Sequence, residues 1–506
     1  MTAMINSGVG NTAAGSIVQL VAKGAMDRYL TDNASRTFWK SKYEKTTQFA
    51  MESVIQSFNS QVQFGQTSQI TLNRTGDLVY YLYVVIELPG IKAVDMTLNS
   101  TQHMTMGRSQ FPTGSGGSLH KADANVYADF CHEADIMGTH GEQSSVSSQI
   151  VSDALLKGKT RWLAEKYGSN YIADSDANDD MSDMPIWASW SNSIGQLLIK
   201  CASIVIGGST IDTLYSDFIY MWEELTGKTG KRLTEMIGKR DCLRELVHDS
   251  AGARLLYVPL PFWFTQNSGQ ALSLASLQFH GVQIQVEFER LENCISVSDE
   301  SKVAVVNVGT NTPLTQSCLA AAIDTTYVYL DTSERSKFAT THFEQLIVQL
   351  QHYSITSSNS QVRMSLNFNH PCIEMIFAVR RQVNERSNSW FNYAGIDGRD
   401  PVIKAGLHLN SQPRFNNRPG SWLRLVQPYQ FHTNIPNGYI YVYSFALHPE
   451  HTTPSGSCNL SRIDHCDLIL NLQEGLGKEQ VTIIVYCRSW NILRFREGLA
   501  GIAYAN

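Results

Sequence analysis

The sequence predicts an all-β chain built as two antiparallel sandwiches in tandem. Three observations predict it. One strand–turn–strand signature occurs twice: Arg254-Leu-Leu-Tyr-Val-Pro-Leu-Pro-Phe-Trp-Phe leads through turn residues to Val282-Gln-Ile-Gln-Val-Glu-Phe, and Gly438-Tyr-Ile-Tyr-Val-Tyr-Ser-Phe-Ala-Leu-His-Pro leads through turn residues to Leu468-Ile-Leu-Asn-Leu. Upstream of each copy lies a second echo, Ile204-Val-Ile-Gly-Gly-Ser-Thr-Ile-Asp and Leu407-His-Leu-Asn-Ser-Gln-Pro-Arg-Phe, two short strands closed by turn residues. Within Val282-Gln-Ile-Gln-Val-Glu-Phe every second residue is apolar, which buries one face of a sheet and wets the other. A repeated all-β unit of this kind reads as a duplicated sandwich.

The elements follow in chain order. Residues 1–46 form an arm with a Gly/Ser/Thr/Asn opening, a short apolar stretch, and Phe38-Trp39 among lysines. The first sandwich begins near Thr47, with strands expected at residues 61–64 and 69–72. The apolar run Leu78–Leu88 is long enough for a central strand buried on both faces. From about residue 93 to 190 the pattern changes to Gly-rich, helical (near 122–137 and 145–166) and acidic (174–183) stretches. This is expected to be an insertion hung between two strands, because loop closure costs only logarithmically with length. A helix is expected at residues 216–225, a polar Ser/Val-rich connection at 293–321, and the second sandwich from about 339. The expected division is therefore 1–46, 47–338 and 339–506.

At 506 residues the chain exceeds what one core usually supports. Apolar residues make up 43% and charged residues only 17%, which suits a well-packed protein with large interfaces. A net charge of −6 provides no basic stripe for nucleic acid, so direct nucleic-acid binding is not expected. The amino terminus lacks the basic-then-apolar order of a signal peptide, and no apolar run reaches membrane-spanning length. Nine cysteines with no Cys-x-x-Cys pair indicate neither a disulfide framework nor a zinc knuckle; reduced, mostly buried thiols are expected.

The motifs that could carry chemistry each lack a part. Gly227-Lys228-Thr229 resembles the end of a phosphate-binding loop, but Trp222 stands where the earlier glycine is needed. Asp174, Asp176 and Asn178 alternate as in a calcium loop, yet Asp179 and Pro185 replace the turn glycine and the final glutamate. His132-Glu133 with His140 fails zincin spacing. His370 and His448, each near a proline at a strand end, read as turn-stabilising residues. Asn33, Asn73, Asn99 and Asn459 meet the N-glycosylation rule without a signal for lumenal entry. No catalytic residue, cofactor site or metal site is expected. One alternative is a glycan-binding sandwich serving as a minor spike or attachment protein, which would use loop aromatics such as Trp187, Trp190 or Trp390-Phe391 as stacking platforms.

Gln19-Leu-Val-Ala-Lys-Gly-Ala-Met-Asp-Arg-Tyr-Leu-Thr, Phe49-Ala-Met-Glu-Ser, Arg74-Thr-Gly-Asp-Leu, Tyr443-Ser-Phe-Ala-Leu, Pro454-Ser-Gly-Ser-Cys-Asn-Leu-Ser-Arg-Ile-Asp and Gly498-Leu-Ala-Gly-Ile-Ala-Tyr-Ala-Asn occur in this order. In these segments the chain resembles the major capsid proteins of nucleocytoplasmic large DNA viruses, particularly those infecting algae. It departs from them at Ser273, where the family usually has proline, and in the length of the segment near 93–190. The resemblance implies two eight-stranded jelly rolls and a structural, non-enzymatic role. It further implies homotrimeric capsomers that tile an icosahedral shell and contact neighbouring trimers, minor capsid or cement proteins and penton proteins. The arm is then expected to lie beneath the barrels, near an inner viral membrane. The location implied is the virion, with assembly in the host cytoplasm.

Overall fold

A computed structural model describes residues 46–95, 188–228, 230–297, 304–308 and 312–504, together with positions 18, 21 and 22. The helical and acidic stretches expected within 96–187, Phe38-Trp39, the calcium-like and zincin-like motifs, Asn33, Asn99 and Trp187 lie outside the described residues. Residues 1–48 and 49–506 form separate units. In the first, Ala22 donates its N–H to the carbonyl of Val18, one helical turn.

Sixteen main strands build the second unit. The first eight are β1 (Phe49–Ser57), β2 (Thr67–Thr71), β3 (Leu78–Leu88), β4 (Ile199–Ile206), β5 (Ser209–Tyr215), β6 (Arg254–Pro259), β7 (Val282–Phe288) and β8 (Ala320–Leu330). They pair antiparallel in two sheets of order β1-β8-β3-β6 and β2-β7-β4-β5, the first extended by the short strand Leu272–Ser273 on β3. The next eight are β9 (Phe343–Ser357), β10 (Gln361–Ser365), β11 (Pro371–Arg381), β12 (Val402–Leu409), β13 (Gln412–Pro419), β14 (Ile440–Ser444), β15 (Cys466–Leu472) and β16 (Val481–Arg496). Their sheets run β9-β16-β11-β14 and β10-β15-β12-β13. The second order is the first with eight added to every index, so each half is an eight-stranded jelly roll and the chain is a double jelly roll.

Local sequence explains the repetition. The β4–β5 hairpin turns through Gly207 and Gly208, and the β12–β13 hairpin through Asn410 and Ser411, all four with positive φ. That is the conformation a tight two-residue hairpin demands. Glycine adopts it freely, and Asn410 is among the residue types that tolerate it. Alternation in β7 buries Val282, Ile284, Val286 and Phe288 inward. Residues 61–64, expected as a strand, are irregular, because the chain is crossing there from one sheet to the other. Val62 and Phe64 still point into the core, and the Phe64 N–H goes to the Gln316 carbonyl rather than to a ladder.

Between strands the first barrel carries α1 (Ser216–Thr226), whose Phe218, Ile219, Met221, Trp222 and Leu225 are buried. A helix α2 (Thr332–Thr340) connects the barrels. In the second barrel a π-helical turn, Trp422–Val426, runs into α3 (Gln427–Phe431) at the position that α1 holds in the first. At the two ends of the expected insertion, Ile91–Asp95 pairs with Ala304–Val308 and Ala188–Trp190 pairs with Ile295–Val297. The eight described cysteines are free; Cys294, Cys372, Cys466 and Cys487 are buried and the other four half-buried.

Two apolar clusters hold the fold. One fills the first barrel and continues across the junction to Ile347, Ile376, Ile484, Tyr486 and Trp490 on the outer face of the second barrel's β9-β16-β11-β14 sheet. The other fills the second barrel, with Phe377, Tyr441, Leu470 and Val485. That sheet is therefore buried on both faces, which is why β11 and β14 are apolar almost throughout.

Candidate assembly interface

The junction between the barrels is made by α1 and β5 of the first lying on the outer face of the second. Phe218 and Tyr215 pack on Tyr486, with ring centroids 5.6 and 6.0 Å apart. The Leu350 N–H donates to Asp212 Oδ1 at 2.9 Å, and Asn434 donates its N–H and its side-chain amide to the carbonyls of Leu225 and Glu224 at the carboxyl end of α1.

Two ionic groups are enclosed there. Arg488 Nη1 lies 2.5 Å from Glu374 Oε1, and the Trp222 ring covers its guanidinium at 3.8 Å. His432 Nε2 sits 2.8 Å from Glu374 Oε2, an ion pair rather than an aligned hydrogen bond, and its Nδ1 lies 3.1 Å from Glu450 Oε1. The side chains of His432 and Glu374 are fully buried. Burial alone would push the Glu374 carboxyl up, but His432 and Arg488 prevail and hold it at about 2. Burial likewise opposes charge on His432, yet Glu374 and Glu450 raise it to about 9. The second group joins Arg380 to Asp217 at 2.8 Å and to Glu385 at 3.0 Å, with the Tyr393 hydroxyl donating to Asp217. Charges enclosed this way need every partner, since removing one leaves another unpaired in a poorly solvating interior.

The same place on the first barrel is different. Strand register aligns the row Ile55–Asp324–Tyr83–Pro259 across β1, β8, β3 and β6 with Leu350–Arg488–Glu374–Ser444 across β9, β16, β11 and β14. One hydrogen bond recurs beside it: Leu260 N–H to the Leu82 carbonyl, and Phe445 N–H to the Ile373 carbonyl. In the second barrel the row is covered by the first. In the first barrel the row is only partly covered: Asp324, Tyr83 and Pro259 are half-buried, with Trp222 and Glu223 of α1 beside the last two, while Phe49, Met51, Ile55, Tyr81, Leu255 and Tyr257 are exposed, Ile55 to 64%. The outer face of β3, expected to be buried, is thus covered only in part: Val85 is buried and Tyr83 half-buried, while Tyr81 and Glu87 are exposed.

The motifs weighed in the sequence resolve as packing. Gly227 ends α1, its N–H bonded to the Glu223 carbonyl, so Gly227 and Lys228 follow a helix and form no phosphate loop. The His370 N–H bonds to Ser461 Oγ and the His448 N–H to Ser455 Oγ, both at turns. Asn73 and Asn459 are exposed. Trp190 is buried, stacked on Phe64 and bonded to the Pro89 carbonyl; Trp390 lies on Arg380 and bonds to the Asn293 carbonyl; Phe391 stacks on Tyr220. None of these three is free to hold a sugar. Among the described residues no group of three or more His, Cys, Asp or Glu is placed to hold a metal.

Comparison with known proteins agrees with this architecture. Residues 334–501 match the family model for the large eukaryotic DNA virus major capsid protein, and residues 37–110 and 166–331 match that for the major capsid protein amino terminus. The chain is 30% identical to the major capsid protein of Phaeocystis pouchetii virus, over 97% of this chain and all of that one. The chain belongs to the major capsid proteins of large eukaryotic DNA viruses. It is also 26% identical to the major capsid protein of Paramecium bursaria Chlorella virus 1, over 97% of this chain and all of its relative. The fold is shared with PBCV-1 VP54 (TM-score 0.63, 22% identity, 93% of this chain and 100% of that one) and with the Faustovirus major capsid protein (0.62, 11%, 95% and 96%). Its role in the capsid is structural and not enzymatic.

Proposed function

We propose that this chain forms homotrimeric capsomers, each presenting six barrels as a near-hexagonal tile, that pave the facets of an icosahedral capsid. The observation carrying this reading is the matched row. The first barrel covers Leu350–Arg488–Glu374–Ser444 within the chain, while its own equivalent row, Ile55–Asp324–Tyr83–Pro259, is only partly covered and is flanked by the exposed apolar residues Phe49, Met51, Leu255 and Tyr257. A junction between unlike faces that has been used once and is available once more propagates from chain to chain and closes into a ring if the rotation allows. The second barrel offers the reciprocal surface: Leu425, Val426 and Tyr429, at the position of α1, are exposed.

The domain division belongs to the same reading: an arm at 1–46, a first jelly roll at 47–338 with a peripheral insertion at about 93–190, and a second at 339–506. In this scheme trimers meet neighbouring trimers, minor capsid or cement proteins and penton proteins through their rims. The arm lies toward an inner viral membrane, no nucleic acid is bound directly, and assembly takes place in the host cytoplasm. Light scattering on purified protein tests it. A trimer that forms sheets or shells on concentration is the expected result, and a monomer or an even-numbered oligomer as the sole species overturns it.

A further inference from the structure

Resting on that reading, we propose that a cleft in the first barrel is a socket for the side chain of Tyr429 from a second copy of this chain. The cleft, about 210 Å³, lies between the middle of β3, the end of β6 and the helix α1, and is lined by Tyr81, Tyr83, Gln196, Trp222, Glu223 and Pro259 among others. Tyr81, Tyr83 and Trp222 give it aromatic surface beside aliphatic Leu82, Ile219 and Leu233, and it holds a buried amide without a partner. Gln196 is 1% exposed, and neither its side-chain oxygen nor its nitrogen has a hydrogen-bond partner. A buried amide in that condition costs stability unless something satisfies it. The occupant that suits this lining is a flat ring ending in a hydroxyl, which can pack on Tyr81, Tyr83 and Trp222 and bond to Gln196.

The internal repeat names the occupant. Tyr83 and Pro259, on the cleft wall, are the register equivalents of Glu374 and Ser444. In the second barrel that position is already capped by an aromatic from the preceding barrel: Trp222, borne on α1, lies over Arg488 beside Glu374. Repeating the same step once more brings the segment of the second barrel equivalent to α1 onto the next chain's first barrel. On that segment Tyr429 is 77% exposed, flanked by exposed Leu425 and Val426 one helical turn earlier. Its hydroxyl matches the difference between the two seats, since the second barrel presents a cation to an indole and the first presents an amide.

Two measurements on the full chain test the socket. In sedimentation across a dilution series, Tyr429→Ala is expected to raise the dissociation constant of the oligomer at least about tenfold, with the melting temperature of the dissociated chain unchanged. Tyr429→Phe is expected to recover most of that loss, and its residual deficit to vanish in a Gln196→Leu background. A photoreactive benzoylphenylalanine at position 429, in a mixture of isotopically light and heavy chains, is expected to cross-link to peptides bearing Tyr81, Tyr83 or Trp222 of the other chain. If the wild type assembles and Tyr429→Ala assembles equally well, or the cross-links fall elsewhere or within one chain, the socket is wrong while self-association stands. A wild type that stays monomeric removes both.

Discussion

Trp222 of the first barrel lies flat over Arg488 of the second, 3.8 Å from ring centroid to guanidinium carbon, and Arg488 is in turn paired with Glu374. A ring from one barrel thus covers a buried ion pair in the other. Replacing Arg488 with Met leaves Glu374 in an apolar interior with only His432 for company, and should cost about 3–5 kcal/mol. Urea denaturation reads it. The double variant Glu374→Gln, Arg488→Met should regain much of the loss, because the cost comes from an unpaired charge and the two sites are coupled. Additive losses would show that the pair does not act as one.

The junction should weaken on the alkaline side. Burial pushes the Asp212 carboxyl up to about 7 against the backbone N–H groups of Leu350 and Thr213. A raised carboxyl contributes stability that is present at low pH and lost as pH rises through about 7. His432, raised to about 9, contributes in the same direction, fully below its ordinary value near 6.5 and lost as pH passes about 9. Glu374, held at about 2, acts oppositely: its contribution is present above about 4.5 and lost as pH falls toward about 2. The contribution of Asp212 is fully present only below about 3.8. The melting temperature should therefore fall between about pH 5 and pH 9, and Asp212→Asn should flatten the part of that fall below about pH 7 while leaving the part between about 7 and 9, which belongs to His432, unchanged. An unaltered slope in Asp212→Asn would remove Asp212 from this account.

Ile55→Arg places a charge on the open face at a position 64% exposed. Folding should be unaffected, since surface substitutions of this kind usually change stability by less than about 0.5 kcal/mol. Self-association should weaken by about tenfold or more if that face is covered in the oligomer. Circular dichroism with light scattering separates the two effects, and undiminished association would place the interface elsewhere.

Replacing residues 96–187 with a short Gly/Ser linker keeps the strands Ile91–Asp95 and Ala188–Trp190, which pair with Ala304–Val308 and Ile295–Val297. A soluble, protease-resistant barrel pair with cooperative unfolding is expected, because closing a loop of different length changes the entropy little. Insoluble protein would mean that this stretch belongs to the core. Normal trimers that fail to form sheets would assign it to contacts between capsomers.

The duplication was legible because turn chemistry and alternation are local. Gly207-Gly208 and Asn410-Ser411 announce equivalent hairpins, and β7 shows its buried face by counting residues. The assembly surfaces were not legible for the opposite reason. Glu374 and Arg488 lie on outward positions of their strands, where charge ordinarily signals water, and only the barrel folded over them makes them interior. Leu78–Leu88 misled in part: Val85 and Tyr83 on its outward side are buried or half-buried, but Tyr81 stays exposed within the chain, since a sequence states how much a face gains from burial but not which molecule supplies the cover. Gln61–Phe64 failed on topology, as apolar spacing is the same whether a segment joins a ladder or crosses between sheets.

The helix Thr332–Thr340 ties the two barrels into one polypeptide, and in the proposed trimer this makes one of the two seams independent of dilution. A tethered seam forms at an effective concentration set by its linker, whereas a seam between chains answers to the number of molecules present. The buried ions, which tolerate no misplacement, are in the tethered seam. The seam exposed to mass action presents apolar and aromatic surface, which can engage, let go and try again while a shell corrects its own errors.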